Sequence, residues 1–193
     1  MPHLTFFCEL EPLPLQALFS NPALLPQLQR LNAALSLGIV DLTPERAAVV
    51  RHLNQQGIPL TAWLLLPKDQ GYWFNLDNAP QAYARYADFR AWSTAHHLRW
   101  DAIGLDIEPD IAALQTLAAH RARGLRQFLR RANRSRLAAG KEIYQTLVRE
   151  IQAEGFRVES YQFPFIVDER RAGSRLVQRL TGVLDLPVDS EVL

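Results

Sequence analysis

The chain has a single cysteine among its 193 residues, so no disulfide can form within it. Cys8 stands in an apolar run, where a cysteine is typically a small buried hydrophobe, and a free thiol fits a reducing compartment. No apolar run is long enough to cross a bilayer, and the first residues lack the basic start of a secretory signal. We therefore expect a cytoplasmic protein with no integral membrane segment.

An excess of charge of one sign is also lacking. Lysine and arginine number 21 and aspartate and glutamate 20, which gives a formal net charge of +1 and argues against a nucleic-acid partner. The exception is the arginine-rich segment 120–136. Its apolar residues form a stripe, which favours a helix with a solvated basic face over the alternative, a site for an anionic partner.

Glycine-rich phosphate loops are missing as well. Neither GxGxxG nor GxxxxGK[ST] occurs in the chain, which argues against an open nucleotide-binding sheet. What the chain does have is an alternation of strand-like and helix-like segments. The predicted strands are 4–11, 34–42, 59–66, 100–108 and 158–166. The tail predicts one more helix and the start of a sixth strand.

Helix boundaries are clearest after the second strand. Thr43 is placed to cap the N-terminus of a helix, Pro44 occupies the first helical position and Gly57 ends it. Further predicted helices are a leucine-rich segment interrupted at Pro22 and Pro26, a helix over about 79–98, and a long helical stretch that divides near 133–135 and ends at Gly155.

This alternation indicates an α/β fold with a parallel sheet and helices packed on it. The order fits a TIM barrel better than an open sheet, although a (β/α)8 barrel typically has about 250 residues. We therefore predict one barrel-type catalytic domain over residues 1–193. It is an incomplete (β/α)8 barrel of about five to six strands, either truncated at the C-terminus or completed by a partner.

The segment WDAIGLDIEPD, residues 100–110, carries the clearest functional signal. It is a predicted strand, yet Asp106, Glu108 and Asp110 stand at alternate positions, and burying an unpaired carboxylate is costly. Because side chains alternate, Asp106 and Glu108 face the interior at the C-terminal end of the strand, where barrel enzymes have their catalytic groups. Carboxylates about 6 to 7 Å apart repel each other, so one stays ionised while the other holds a proton, as a general acid requires.

The residues Gly104-Leu105-Asp106-Ile107-Glu108 resemble the end of the D-x-D-x-E signature of family 18 chitinase-like glycoside hydrolases. The resemblance implies that Glu108 protonates the glycosidic oxygen. It also implies that Asp106 orients the acetamido group of the substrate, which is the nucleophile in substrate-assisted hydrolysis. Gly104 departs from the signature, because it stands where the family has its first aspartate. We expect no cofactor and no metal.

Further candidate substrate contacts lie in loops at the same end of the barrel. Aromatic rings and amides suit a sugar, whose C–H faces stack on rings while its hydroxyls need hydrogen bonds. The candidates are Tyr72, Trp73, Asn75 and Asn78 after strand three, Tyr161 and Gln162 in strand five, Asp110 after strand four, and Glu11 near the end of strand one. Capping of the barrel by Trp73 is an equal alternative, and Glu11 would permit a two-carboxylate hydrolase.

Three functional classes stay open. The leading one is a glycoside hydrolase acting on an oligosaccharide or another small polar substrate, with Glu108 as the acid and Asp106 as the orienting carboxylate. The second is a metal-dependent isomerase or phosphodiesterase, in which these two residues and Asp110 bind Mg²⁺ or Mn²⁺, although no histidine is near them in sequence. The third is a non-catalytic carbohydrate-binding or scaffold protein.

Overall fold

The computed structural model describes residues 4–108, 134–174, 178 and 183–193. In these ranges the strands are β1 (Thr5–Cys8), β2 (Ala34–Ile39), β3 (Leu60–Leu64), β4 (Ala102–Asp106), β5 (Arg157–Tyr161) and β6 (Ser190–Val192). They form one sheet in the order β1-β2-β3-β4-β5-β6, and every pairing is parallel. The helices are α1 (Pro12–Phe19), α2 (Leu24–Arg30), α3 (Pro44–Gln55), α4 (Ala79–Ala95), α5 (Arg134–Ala153) and α6 (Pro164–Arg171).

The sheet curls into a half-barrel. Phe7 on β1 and Tyr161 on β5 are four strands apart, a span of about 19 Å in a flat sheet. Their ring centroids are nevertheless 5.2 Å apart. Each strand pairs with the next one along the chain, and β1 and β6 do not pair with each other in the part of the chain that is described. The predicted α/β architecture, barrel-like and incomplete, is therefore confirmed.

The main core lies between the convex face of the sheet and the helices. Side chains at alternate strand positions point towards this layer, as a half-barrel covered by helices requires. The fully buried ones are Leu37 and Ile39 on β2, Ala62 and Leu64 on β3, Ile103 and Leu105 on β4, and Val158 on β5. The other face of the strands is thereby left to line the interior of the half-barrel.

Helix α3 begins and ends as its sequence predicts. The Thr43 hydroxyl oxygen accepts a hydrogen bond of 3.3 Å from the backbone N–H of Arg46, and Pro44 occupies the first helical position. Gly57 follows the helix with a φ of +70°, in the left-handed region that favours glycine. These local signals need no tertiary information, which is why they could be interpreted correctly from the sequence.

The predicted fifth strand, 158–166, runs too far. Strand β5 ends at Tyr161, and Pro164 is an early residue of helix α6. The proline ring fixes φ near the helical value and its missing N–H is not needed in the first turn, so the apolar residues after Tyr161 start a helix. The prediction that the strand continues to residue 166, which was based on the apolar character of this stretch, is therefore wrong.

The long helical stretch near the middle of the chain is described only in its second half. Helix α5 is described from Arg134 onward, and Gly155 follows its end with a φ of +88°. The predicted helix before this junction, with most of the arginine-rich segment, lies outside the described residues. None of the helices in the described ranges is both long and apolar enough to cross a bilayer.

A fully buried arginine, Arg46, joins the ends of the first two strands. Its guanidinium donates hydrogen bonds of 3.0 and 2.7 Å to the Asp41 carboxylate, 3.0 Å to the Gly38 carbonyl and 2.8 Å to the Leu10 carbonyl. Those carbonyls lie where parallel strands stop pairing and would otherwise be unsatisfied. The arginine therefore fixes the C-terminal edge of the half-barrel at β1 and β2.

A second buried arginine, Arg85 on α4, donates hydrogen bonds to backbone carbonyls at the ends of β2 and β3. It donates 2.9 Å to the Leu65 carbonyl and 2.8 Å to the Ile39 carbonyl, and its burial lowers the pKa of the guanidinium. Helix α4 is thereby anchored to the ends of β2 and β3. The sequence gives no sign of this role, because both arginines occur in helices that look amphipathic and solvent-facing.

Candidate active site

A cleft of about 300 Å³ opens at the C-terminal ends of the strands. It is lined by Phe7, Trp63, Asp106, Glu108, Tyr161, Gln162, Phe163, Val192 and Leu193. These residues come from β1, β3, β4, β5 and β6 or directly follow them. The cleft is therefore the interior of the half-barrel at the end where barrel enzymes have their active sites.

Asp106 and Glu108 lie on the same wall of the cleft. Asp106 is the last residue of β4 and is 7% exposed, whereas Glu108, two residues further towards the rim, is partly exposed. The backbone of this segment is fixed by the loop after β3, because the Glu108 N–H donates a 2.8 Å hydrogen bond to the carbonyl of Phe74. Phe74 also bridges to Ile107. A buried and a rim carboxylate thus share one wall of the cleft.

Three aromatic rings from alternate strands line the cleft. Phe7, Trp63 and Tyr161 meet edge to face, with centroids 5.9 Å apart for Phe7 and Trp63, 5.2 Å for Phe7 and Tyr161, and 5.7 Å for Trp63 and Tyr161. They come from β1, β3 and β5, the alternation of strands that fills a barrel interior in layers. Trp63 is buried, whereas Phe7 is 51% exposed, so this apolar cluster beside the carboxyl groups is open to solvent on the β1 side.

Gly104 makes room for this layer. A Cβ at Gly104 would overlap the Tyr161 hydroxyl and come within 2.9 Å of the ring carbon Cζ. The Tyr161 ring crosses β4 at this gap and reaches β2, where its hydroxyl oxygen lies 2.7 Å from the Ser36 hydroxyl oxygen. The position at which the resemblance expects an aspartate is thus taken up by a neighbouring phenol.

The buried carboxyl group has an unusually high proton affinity. The pKa of Asp106 is raised from 3.8 to about 7, first by burial and then by the negative charges of Glu108 and Glu9. The Trp63 indole N–H acts in the opposite direction, although it makes no hydrogen bond of regular geometry within the described residues. Burial also raises the pKa of Glu108. The pair therefore binds a proton at a pH well above that of ordinary carboxylic acids.

The loop after β3 supplies a tyrosine to the rim of the half-barrel. The Tyr72 hydroxyl donates a hydrogen bond to the carboxylate of Glu9, and burial, together with this pairing, raises the pKa of the phenol. Trp73 packs edge to face on Tyr72, with centroids 5.2 Å apart. Both residues are outside the set that lines the cleft, so their predicted contact with substrate stays a prediction.

The two asparagines of this loop bond to the loop itself. The Asn75 carbonyl oxygen of the side chain accepts from the backbone N–H of Asp77 and Asn78, at 2.8 and 3.1 Å. Asn78 accepts from the Asn75 N–H at 2.7 Å and donates to the carbonyl of Trp73 at 2.9 Å. Their amides therefore stabilise the loop itself, and neither residue lines the cleft.

Of the other predicted contacts, those at the end of strand five line the cleft and the one near strand one does not. Tyr161 and Gln162 both line the cleft, and the Gln162 amide nitrogen donates to the Ser160 hydroxyl at 2.7 Å and to the Leu184 carbonyl at 3.3 Å. Glu11 is exposed and pairs with Lys68 at 3.1 Å, outside the cleft.

Asp110 lies outside the described residues. Within the described ranges, no three His, Cys, Asp or Glu side chains are grouped as the ligands of a metal ion.

Phe7 and Trp63 line the cleft, although the sequence analysis did not predict either as a site residue. Both were interpreted only as apolar strand residues. In the structure Trp63 pairs in register with Gly104, so it points to the same face as the carboxylates. Strand parity combined with the register of β3 and β4 would have found it, but a single sequence does not give that register.

No protein-family model matches the chain, and no curated protein or solved structure gives a significant match. The geometry of the cleft is therefore the observation that indicates a function.

Proposed function

We propose that this chain is a glycoside hydrolase that acts on an oligosaccharide, including N-acetylated ones, and that its half-barrel is of the TIM-barrel type. The observation that carries the proposal is the pair of carboxyl groups, Asp106 and Glu108, on one wall of an aromatic cleft at the C-terminal ends of parallel strands. Asp106 retains a proton near neutral pH, and acid catalysis at a glycosidic bond requires that this proton be shared with Glu108, the carboxyl group at the rim.

Glu108 is the general acid in this proposal. It stands at the rim, where a glycosidic oxygen can approach, and gives that oxygen its proton as the bond from the anomeric carbon to the oxygen breaks. Asp106 lies beneath it, hydrogen-bonds the substrate and stabilises the charge that develops there. With an N-acetylated sugar, the acetamido oxygen attacks the anomeric carbon and Asp106 accepts a hydrogen bond from the acetamido N–H, as in the family that GLDIE resembles.

The cleft also has the chemistry of a sugar site. The rings of Phe7, Trp63 and Tyr161 offer apolar surfaces to the C–H face of a pyranose, while the carboxyl groups accept from its hydroxyls. A cytoplasmic location is part of the proposal, since the chain's one cysteine, Cys8, is a buried free thiol.

The test is hydrolysis of 4-methylumbelliferyl β-glycosides, both N-acetylglucosaminides and neutral glycosides, with and without EDTA. We expect EDTA-resistant turnover that Glu108→Gln lowers by about 100-fold or more, because the variant removes the transferable proton at nearly constant shape. Glu45→Gln, an exposed change in the first turn of α3, is the matched control and should leave turnover unchanged. Circular dichroism and thermal unfolding report whether each variant folds.

The other functional classes give different results. If EDTA abolished turnover, the role of Asp106 and Glu108 would be to bind a metal ion. Sugar binding without turnover, detected through tryptophan fluorescence, would indicate a carbohydrate-binding protein. Unchanged turnover in Glu108→Gln would remove this residue from the mechanism.

A further inference from the structure

A third carboxylate, Glu9 at the end of the first strand, lies close to the cleft although it is not among the residues that line it. Glu9 directly follows β1 and is two residues beyond Phe7, whose ring lines the cleft, so both side chains leave the chain on the same face. Glu9 is exposed to solvent. It therefore has access both to the interior of the half-barrel and to water.

The neighbouring strand is shaped to let the Glu9 side chain cross it. A Cβ at Gly38 on β2 would lie 3.2 Å from Cγ of Glu9 and 3.3 Å from Cδ1 of Leu65, closer than most side chains tolerate. Gly38 pairs in register with Trp63, which faces the cleft. The stem of Glu9 thus lies over the inner face of β2, directed into the half-barrel.

The carboxylate of Glu9 is also held in place. The Tyr72 hydroxyl donates a hydrogen bond to it, from a residue with a φ of +62°, a conformation that a non-glycine residue seldom adopts. A tyrosine held in this strained conformation fixes the position of the carboxylate to which it donates. By contrast, Glu11, the second carboxylate expected from the sequence, forms an exposed ion pair with Lys68.

The charge of Glu9 reaches Asp106. It raises the pKa of Asp106, after burial and the charge of Glu108. Glu9 and the two β4 carboxyl groups therefore face the same space from strands three positions apart in a curled sheet. Carboxyl groups on opposite sides of a sugar, with space for a water molecule between them, are the arrangement of inverting glycosidases.

We propose that Glu9 is the general base of a two-carboxylate hydrolysis, an inference that rests on the proposed glycosidase function. Glu9 takes a proton from a water molecule as the water oxygen bonds to the anomeric carbon. The bond from that carbon to the leaving oxygen breaks at the same time, and Glu108 gives this oxygen its proton. The nucleophile is water and no acetamido group takes part, so the substrate class includes neutral β-glycosides.

The experiment measures kcat and KM on two probes, 4-methylumbelliferyl β-glucoside and its N-acetylglucosaminide counterpart. Glu9→Gln should lower kcat on the neutral glycoside by about 100-fold or more, the usual contribution of a general base. Glu45→Gln is the matched control. Proton NMR of the first product should show inversion at the anomeric carbon.

Two further measurements separate a catalytic role from a structural one. Sodium azide should restore turnover of the aryl glycoside in Glu9→Ala and yield the glycosyl azide, because azide attacks without a base. Tyr72→Phe, which removes only the hydrogen bond to Glu9, should lower kcat by about threefold to tenfold and change KM less.

The outcomes distinguish this inference from the function on which it rests. Turnover that needs Glu108 but is unchanged in Glu9→Gln, or a product of retained configuration, would overturn the role of Glu9 and leave the glycosidase proposal standing. If the wild-type chain hydrolyses neither probe, both proposals fail together. If Glu9→Gln does not fold, the Tyr72→Phe kinetics and the product configuration still decide.

Discussion

The hydroxyl oxygen of Tyr161 on β5 lies 2.7 Å from that of Ser36 on β2, although 125 residues separate them in sequence. In a flat sheet, strands three positions apart would be about 14 Å from each other. This hydrogen bond therefore spans the interior of a curled sheet. The ring that makes it lines the cleft, so the curvature of the sheet and the shape of the candidate site depend on the same side chain.

The first prediction concerns the gap that Tyr161 fills. Gly104→Ala should destabilise the chain by about 1 to 3 kcal/mol, because the new methyl group meets the phenol in a packed interior. In a Tyr161→Leu background the same substitution should cost much less. Urea denaturation of the four proteins of this double-mutant cycle gives the coupling. An equal cost in both backgrounds would show that the phenol does not restrict this position.

The second prediction concerns the buried arginine at the ends of β1 and β2. Arg46→Met should lower the free energy of unfolding by about 3 to 5 kcal/mol, because Asp41 loses its partner and two carbonyls lose their donors. Arg46→Lys should recover little, since an ammonium cannot reproduce the planar fork. The exposed Arg51→Lys on the same helix is the control. Chemical denaturation measures all three, and a full recovery by lysine would contradict the role of the fork.

The third prediction is a pH dependence of stability caused by Asp106. Its pKa is about 7 when folded and 3.8 ordinarily, so the folded state binds more protons between these values and the free energy of unfolding falls as pH rises from about 4 to 7. The loss is on the order of 4 kcal/mol at most. Asp106→Asn keeps the neutral form, so it should remove this loss and exceed the wild type in stability at pH 8.

The measurement is urea denaturation at pH 5 and pH 8, with Asp69→Asn, an exposed change in the loop after β3, as control. The control should follow the wild type at both pH values. An Asp106→Asn variant that is less stable than the wild type at pH 8 would mean that the carboxylate is charged and well solvated in the fold.

The sequence alone was enough for features that depend on near neighbours. The cap at Thr43, the turn at Gly57 and the common face of Asp106 and Glu108 follow from spacing within a few residues. The end of β5 could not be found in this way, since apolar residues on both sides of Pro164 look alike in a strand and in a buried helix.

The cleft itself depends on contacts far apart in the chain. Phe7, Trp63 and Tyr161 meet only because the sheet curls, and curvature has no local sequence signal. For the same reason the carboxylate expected from β1 was Glu11, whereas the one whose charge reaches Asp106 is Glu9. Orientation at a strand end depends on the partners of the side chain, here Tyr72 and Lys68.

The last prediction links the proton on the carboxyl pair to catalysis. A general acid must hold its proton, so kcat/KM should fall as pH rises through about 7, where the pair of Asp106 and Glu108 releases it. In Asp106→Asn the carboxyl group whose pKa reaches about 7 is gone, and only Glu108 remains to carry the proton, with a pKa that burial raises. The basic limb of the profile should therefore move to lower pH in this variant, with a lower maximum. Rates on the aryl glycosides between pH 4 and 9 measure the shift, and a basic limb that stays in place would assign it to another group.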